Sequence, residues 1–387
     1  METNMALATH TAILKARKGE LQALATLDGR TLDRVQPIFE IGRLTDQIRE
    51  RKYMRESRTP TISYLDRALA GVSEVWGDRV AVIDGFEWAP QARTESGDSV
   101  IPYMVDRLRR YGTPVVPVVG YDRWSNSDYR AGLVSVEAHR GRDWYFRFDK
   151  TAVEDASEPD YFGENVLDML DTLDAHPNNC AAIVDFGDIS MSTASIEYIT
   201  NNAIKVLNSL QSLGFERFVF AGCSMPRTIN LAVDSADTDG FLIRKEMLVW
   251  QALRAELQSV TIGFGDYALR GPTTSEFPSK YTNGKIRHTV TSRLFIVRGH
   301  PFRNDGCHVQ MEDLARRLIA SGNYLGPDFS WGDDQIELAS RGLARRDLGH
   351  WIAVDTNHHL TFVVQEIEEF ERAIARSARR ETASDRG

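Results

Sequence analysis

The 387-residue chain holds three cysteines, Cys180, Cys223 and Cys307. They are too few and too scattered for a disulfide framework or a paired metal knuckle, so reduced thiols are expected, two of them packed within apolar runs. The sequence has no uninterrupted apolar run near the ~18 residues that cross a bilayer. Its first residues, "METNMALATHTAILKARKGE", lack the basic segment followed by an apolar one that marks a signal peptide. Positive charge is in deficit, with 46 Lys and Arg against 55 Asp and Glu and a formal net charge of −9. That balance excludes the broad phosphate-gripping surface of nonspecific nucleic-acid binding and leaves room only for a local basic pocket. There is no biased tract and no heptad repeat. A cytoplasmic globular protein with no membrane partner is the expectation.

What is present is a succession of short β-branched runs. These are "RVQPIFEI" (34–41), "RVAVIDGFEW" (79–88), "TPVVPVVGYD" (113–122), "DWYFRFDK" (143–150), "CAAIVDFGDI" (180–189), "RFVFAGCSMP" (217–226), "VTIGFGDYAL" (260–269) and "RLFIVRGH" (293–300). Several are continuous rather than alternating, the pattern of strands buried on both faces in a parallel sheet. Helical spacing fills most of the gaps. Ile62, Leu65, Leu69, Val72 and Trp76 recur at i, i+3, i+4, and so do Ile196, Ile199, Ala203, Val206 and Leu210, with Ser195 placed as an N-cap. Eight such runs predict a (β/α)8 TIM-type barrel, with an open doubly wound sheet as the alternative.

Two irregularities are expected. Between the seventh and eighth runs, "SKYTNGKIRHTVTS" carries Asn283-Gly284, a hairpin signal where a crossover helix should lie. Residues 301–350 exceed what one last helix needs and read as an insertion after the eighth strand, over the barrel mouth, before the terminal helix "VVQEIEEFERAIARSARR". Residues 1–380 then form a single domain, with a disordered tail over 381–387.

The carboxyl ends of barrel strands share one mouth. Read in order, they deliver Glu40, Asp84 with Glu87, Tyr121 with Asp122, Arg147 with Asp149, Asp185 with Asp188, Ser224, Asp266 with Tyr267, and Arg298 with His300. Asp84 in "AVID" and Asp185 in "AIVD" belong to their strands rather than to a turn, and a buried carboxylate needs a cation or solvent. Arg147 in "YFRF" and Arg298 in "FIVRG" are the natural partners. The residue types fit two chemistries. In one, Asp84, Asp185 and Asp266 hold Mg²⁺ or Mn²⁺ while Arg147 and Arg298 clamp a phosphate, with Asp185, Asp84 and Glu40 catalytic. In the other, two carboxylates work on a glycosidic bond. The bland alternative is a set of structural ion pairs, Arg147 with Asp185 and Arg298 with Glu40. Tyr121 and Tyr267 are expected to line the substrate.

Other candidates are weaker. "GFGDYALRGP" follows no phosphate-loop pattern, and Ser224 lacks the Gly-x-Ser-x-Gly elbow. The side chains of Cys307-His308 and of His358-His359 diverge in regular structure, which argues against zinc at either pair. His350-Trp351 is either a cover for the mouth or core.

The stretch "LKARKGELQALATLDGRTLDRVQPIFEI", with Leu14-Lys15, Lys18-Gly19-Glu20 and Pro37-Ile38-Phe39-Glu40-Ile41, resembles the opening of the beta family of phage and bacterial proteins. "AAIVDFGDI", "FVFAGCSMP", "FGDYAL" with Tyr281, and "HWIAVDTNHHLTFVV" are similar to later parts of that family. The resemblance transfers no catalytic residues. It implies a bacterial or phage-related intracellular protein of a defence or mobile-element locus, and it directs attention to Lys15, Lys18 and Glu20, which precede the first strand and either reach the barrel, with Lys18 lining the substrate, or form a solvated capping turn. Two functions follow as expectations: a metal-assisted hydrolase or transferase of an anionic, phosphorylated small molecule, possible nucleotides included, and a barrel that recognises a phage or host protein partner through loops 124–130 and 322–333.

Overall fold

The computed structural model describes residues 8–136, 144–272, 282–302, 307–345 and 347–384; Tyr281 lies outside them. Its strands, in chain order, are β1 (His10–Leu14), β2 (Val35–Glu40), β3 (Ala81–Asp84), β4 (Val115–Gly120), β5 (Tyr145–Phe148), β6 (Ala181–Asp188), β7 (Arg217–Cys223), β8 (Thr238–Ile243), β9 (Ile262–Asp266), β10 (Asn283–Val290) and β11 (Arg293–Pro301). β1 to β7 and β9 close into an all-parallel barrel of eight strands. Closure sets His10 opposite Phe264 and Ala12 opposite Asp266.

Successive side chains of a strand point to opposite faces, and the short strands exploit this on both sides. Ile13, Ile38, Val82, Val118, Ile183 and Val219 fill the barrel in one apolar cluster. Leu14, Phe39 and Ile83 face outward, where the helix Pro60–Trp76 lays Leu65, Leu69, Val72 and Trp76 against them. The helix Ile196–Ser212 starts where expected, with the Ser195 side chain accepting from Tyr198 N.

The (β/α)8 class holds, with one strand exchanged. "HTAIL" is the first strand of the barrel, and "RLFIVRGH", expected as the eighth, lies outside it. β11 pairs antiparallel with β10 on one side and β8 on the other, forming a separate sheet of order β10-β11-β8. The hairpin is also real, but its turn is at Thr291-Ser292, where Ser292 takes a φ of 54°. Asn283-Gly284 instead forms a register irregularity at the start of β10. Gly284 is required there because the Gln310 side chain fills the space that a Cβ would occupy.

This sheet covers part of the barrel's carboxyl end. Met225, Ile229 and Val233 after β7, and Leu269 after β9, continue the interior cluster to Leu294 and Ile296 of β11. The helices Cys307–Ala320 and Trp331–Leu338 pack on the sheet's other face and are layered behind it, while the sheet's edge strand β8 comes from a separate excursion between β7 and β9. Trp351 is core in that layer, 5% exposed. The last helix, Leu348–Ser384, is far longer than the terminal stretch expected and continues into the predicted disordered tail. It crosses the helix Lys18–Ala25 so closely that a Cβ on Gly19 would come within 2.7 Å of Gly349 O.

Candidate functional site

At the carboxyl end of the barrel, each strand contributes one inward position: Lys15 just past β1, Glu40, Asp84, Gly120, Arg147, Asp185, Cys223, and Tyr267 just past β9. Arg147 is the hub. Its Nη1 donates to Glu40 Oε1 at 2.8 Å and Asp84 Oδ2 at 2.7 Å, and its Nε donates to Asp185 Oδ2 at 2.8 Å. Its Nη2 donates to the Tyr267 hydroxyl, which donates in turn to Asp185 Oδ2 at 2.6 Å. Gly187 N holds the other oxygen of Asp185 at 2.8 Å. The Arg147 guanidinium lies 4.4 Å from the centre of the Phe86 ring, a cation–π arrangement that favours a desolvated cation.

Two further cations complete the cluster. Lys15 Nζ bridges Glu40 at 2.6 Å and Glu87 at 2.8 Å. Arg123, in the turn after β4, donates to Asp84 Oδ1 at 2.9 Å. Gly120 makes room for it, since a Cβ there would lie 2.1 Å from Arg123 Nη2. That Nη2 is buried with no hydrogen-bond partner among the described residues. Arg123 also lines a narrow cleft with room for little more than a water molecule, shared with Trp88, Ile101, Asp128 and Tyr129.

Glu40, Asp84 and Asp185 thus face Lys15, Arg123 and Arg147, three carboxylates against three cations, all buried. Glu87, with 24% of its side chain exposed, is where the cluster meets solvent. Burial pushes the Asp84 carboxyl up, but Arg123 and Arg147 outweigh it and the group lies below the usual carboxylate range. Burial likewise lowers the Lys15 ammonium, but Glu40 and Glu87 prevail and raise it. The Tyr267 phenol is pushed well up, by burial first and then by the carboxylates of Asp185 and Glu40 against the opposing Arg147.

Of the residues singled out from the sequence, Glu40, Asp84, Asp185, Arg147 and Tyr267 meet here. Four others stand elsewhere. Asp266 is on the outward parity of β9, bonded to His10 and His359 across the barrel wall from the mouth; its neighbour Tyr267 takes the inward position. Tyr121 also faces outward, packed on Phe148 and Phe162 with its hydroxyl on Asp155. Arg298 is on β11 and donates to the carbonyls of Val233 and Asp234, so it pairs with the sheet's own support and not with Glu40. Lys18 is 79% exposed and bridges Asp347.

The expected Mg²⁺ or Mn²⁺ set does not fit these residues. Asp266 is on the wrong side of the wall, and the Arg147 guanidinium lies within hydrogen-bond distance of Glu40, Asp84 and Asp185, where a shared ion would have to sit. Lys15, to which the family resemblance pointed, joins the cluster through Glu40 and Glu87. Arg123 was the omission, because it lies beyond a strand end and reaches back over a glycine.

His358 and His359 do diverge, as expected of neighbours on a helix, yet each enters a separate histidine–aspartate cluster. His358 joins His288 and Asp333, and His359 joins His10 and Asp266.

No curated protein matches the chain. Among solved structures, the enoyl reductase domain of MlnA from the macrolactin biosynthesis cluster of Bacillus amyloliquefaciens aligns over 97% of this chain and 96% of its own at 8% identity and a TM-score of 0.38. A trimodular GH5_4 subfamily endoglucanase aligns over 72% and 73% at 10% identity and a TM-score of 0.29. The carboxyl transferase domain of Rhizobium etli pyruvate carboxylase aligns over 94% and 48% at 12% identity and a TM-score of 0.24. Likenesses this distant carry no argument about chemistry. The sequence model of the Beta protein family matches residues 11–365, from the second residue of β1 into the last helix, and the chain belongs to that family.

Proposed function

We propose that the protein is an enzyme, a hydrolase or transferase that takes an anionic, phosphorylated small molecule at the carboxyl end of its barrel and stabilises charge with Arg147, Arg123 and Lys15 rather than with a divalent cation. The observation that carries this reading is the desolvated cluster itself. Three cations and three carboxylates from six separate places in the chain meet at the end of the barrel where reactions in this fold occur. Packing alone would favour apolar residues there, because a buried ion network seldom outdoes a hydrophobic set of the same volume. Fixed charges in dry surroundings are, by contrast, what stabilises charge developing in a transition state.

The parts have distinct roles under this reading. Arg123 offers its unpartnered Nη2 as the donor for a phosphoryl oxygen. Tyr267, hydrogen-bonded to Asp185 at 2.6 Å, is the proton donor to a leaving group.

A thermal-shift screen with inorganic phosphate, AMP and glucose 6-phosphate, each in EDTA and in Mg²⁺, tests the proposal. A ligand at a hundred times its Kd adds about 2.7 kcal/mol, and the same shift is expected with or without the metal and is lost in Arg123→Met. A shift that needs Mg²⁺, or no shift with any ligand, overturns it.

One observation favours the recognition reading instead. Phe241 and Ile243 are half-exposed on β8, the outer strand of the three-stranded sheet, and exposed strand edges serve for strand addition by a partner. Under that reading Phe241→Asp abolishes partner binding while leaving the screen above unchanged.

A further inference from the structure

Two groups of three among the described residues place histidine and aspartate atoms close enough to share an ion: His10, Asp266 and His359, and His288, Asp333 and His358. Their ring geometry separates them. The imidazoles of His288 and His358 are stacked, with centroids 3.7 Å apart and planes 19° from parallel. Lone pairs lie in the ring planes, so two nearly parallel rings cannot both point at one ion. His10 and His359 are 6.0 Å apart at 68°, and their Nε2 atoms approach the two oxygens of one carboxylate, His10 to Asp266 Oδ1 at 2.9 Å and His359 to Oδ2 at 2.8 Å.

We propose that His10, Asp266 and His359 form a structural site for a zinc-class divalent ion that fastens the last helix to the seam where β9 meets β1. Each residue offers one ligand atom, so the group supplies two imidazole nitrogens and a carboxylate oxygen, donors of the kind zinc takes, with a water to complete the tetrahedron. Donors on a tetrahedral zinc stand about 3.3 Å apart, a few tenths of an ångström beyond the observed nitrogen–oxygen distances. The outer contacts match those of metal-bound residues. His359 Nδ1 meets Thr289 Oγ1 at 2.8 Å, and Ala268 N donates to Asp266 Oδ1 at 2.9 Å, the kind of support that fixes a ligating ring and carboxylate. All three residues are buried, with His10 and His359 at no more than 1% exposure. His10 Nδ1 has no partner among the described residues, so of the two rings only His359 is held from behind.

The three residues come from β1, from the end of β9 and from the last helix, elements otherwise joined at a seam rich in polar groups: Asp355, Thr356, Asn357, His358 and Glu366 are all buried on that helix. An ion there would fasten the chain's two ends across the barrel closure. The barrel wall separates this site from the charge cluster at the mouth, so the site stands or falls independently of the proposed activity.

The full chain, stripped with EDTA and dialysed, is titrated with Zn²⁺ and with Co²⁺. The expected result is one equivalent bound per chain, a visible cobalt absorption of the intensity typical of four-coordinate sites, and a rise in melting temperature of several degrees. His359→Gln is the informative variant, because its amide can still donate to Asp266 and accept from Thr289 but holds no metal. It should melt like the stripped wild type and bind no ion, whereas His288→Gln should bind like the wild type. If His359→Gln does not fold, His10→Gln gives the same reading, and wild-type stoichiometry already decides. No ion bound by the wild type, or an ion retained by the glutamine variants, overturns the proposal.

Discussion

Replacing Arg147 with methionine removes the hub of the mouth while keeping much of its length and volume. Three buried carboxylates then lose a cation, but each keeps a partner: Glu40 keeps Lys15, Asp84 keeps Arg123, and Asp185 keeps Tyr267 and Gly187 N. The loss should therefore be that of one broken buried pair, about 3–5 kcal/mol, and not three times that. At about 2.1 cal/mol/K per residue, a chain of 387 residues unfolds with an entropy of about 0.8 kcal/mol/K, so the melting temperature should fall by about 4–6 °C at pH 7. The pH dependence gives a second check. In the wild type Asp84 is depressed, so its contribution is present above the unfolded value near ~3.9 and is lost only as pH falls through the still lower folded value. In the variant Asp84 keeps only Arg123 against its burial, so its carboxyl moves upward, its depression shrinks and the gap between the two proteins narrows as pH falls. Calorimetry of both proteins at pH 5, 6 and 7 reads both effects. A fall below about 1 °C at pH 7, or a gap that widens toward pH 5, would refute the reasoning.

Further predictions come from individual residues. Gly120→Ala drives a Cβ into the Arg123 guanidinium and should cost about 1–3 kcal/mol in denaturant unfolding, with a matching loss of phosphate binding. Trp351→Ala opens the layer behind the sheet, among Ile286, Phe295 and Met311, and should cost about 3–5 kcal/mol without altering ligand affinity at the mouth. Burial, aided by Arg345 and Lys18 against Asp347, lowers His350 to about 4. A histidine depressed on folding contributes stability above its unfolded value near ~6.5 that disappears as pH falls toward the folded one. Melting temperature should therefore drop between pH 6.5 and 4.5, less so in His350→Gln.

The barrel was legible because its strands are buried on both faces and so read as unbroken β-branched runs. Its frame was not. "HTAIL" is five residues long beside a charged segment, while "RLFIVRGH" is eight residues of equally good strand; only pairing partners distinguish a barrel strand from one in an antiparallel sheet, and pairing is nonlocal. At the mouth, Glu40, Asp84, Arg147 and Asp185 were readable because each ends or nearly ends an apolar run. Asp266 and Tyr267 are adjacent, and a shift of one residue decides which faces inward. Arg123 reaches the cluster only because Gly120 has no side chain. The two histidine–aspartate clusters were invisible because their members come together from strands and helices up to 349 positions apart in the chain, His10 and His359 being the extreme.

The most direct test of the central claim is turnover in EDTA, with a panel of phosphomonoesters and phosphoanhydrides, comparing the wild type with Tyr267→Phe. The account predicts product from the wild type without added metal and a loss of about 10²-fold or more in the variant, with a fall in melting temperature of only about 1–4 °C for the lost buried hydrogen bonds. Product that appears only with Mg²⁺ or Mn²⁺, turnover that survives Tyr267→Phe undiminished, or no product from any member of the panel would contradict it.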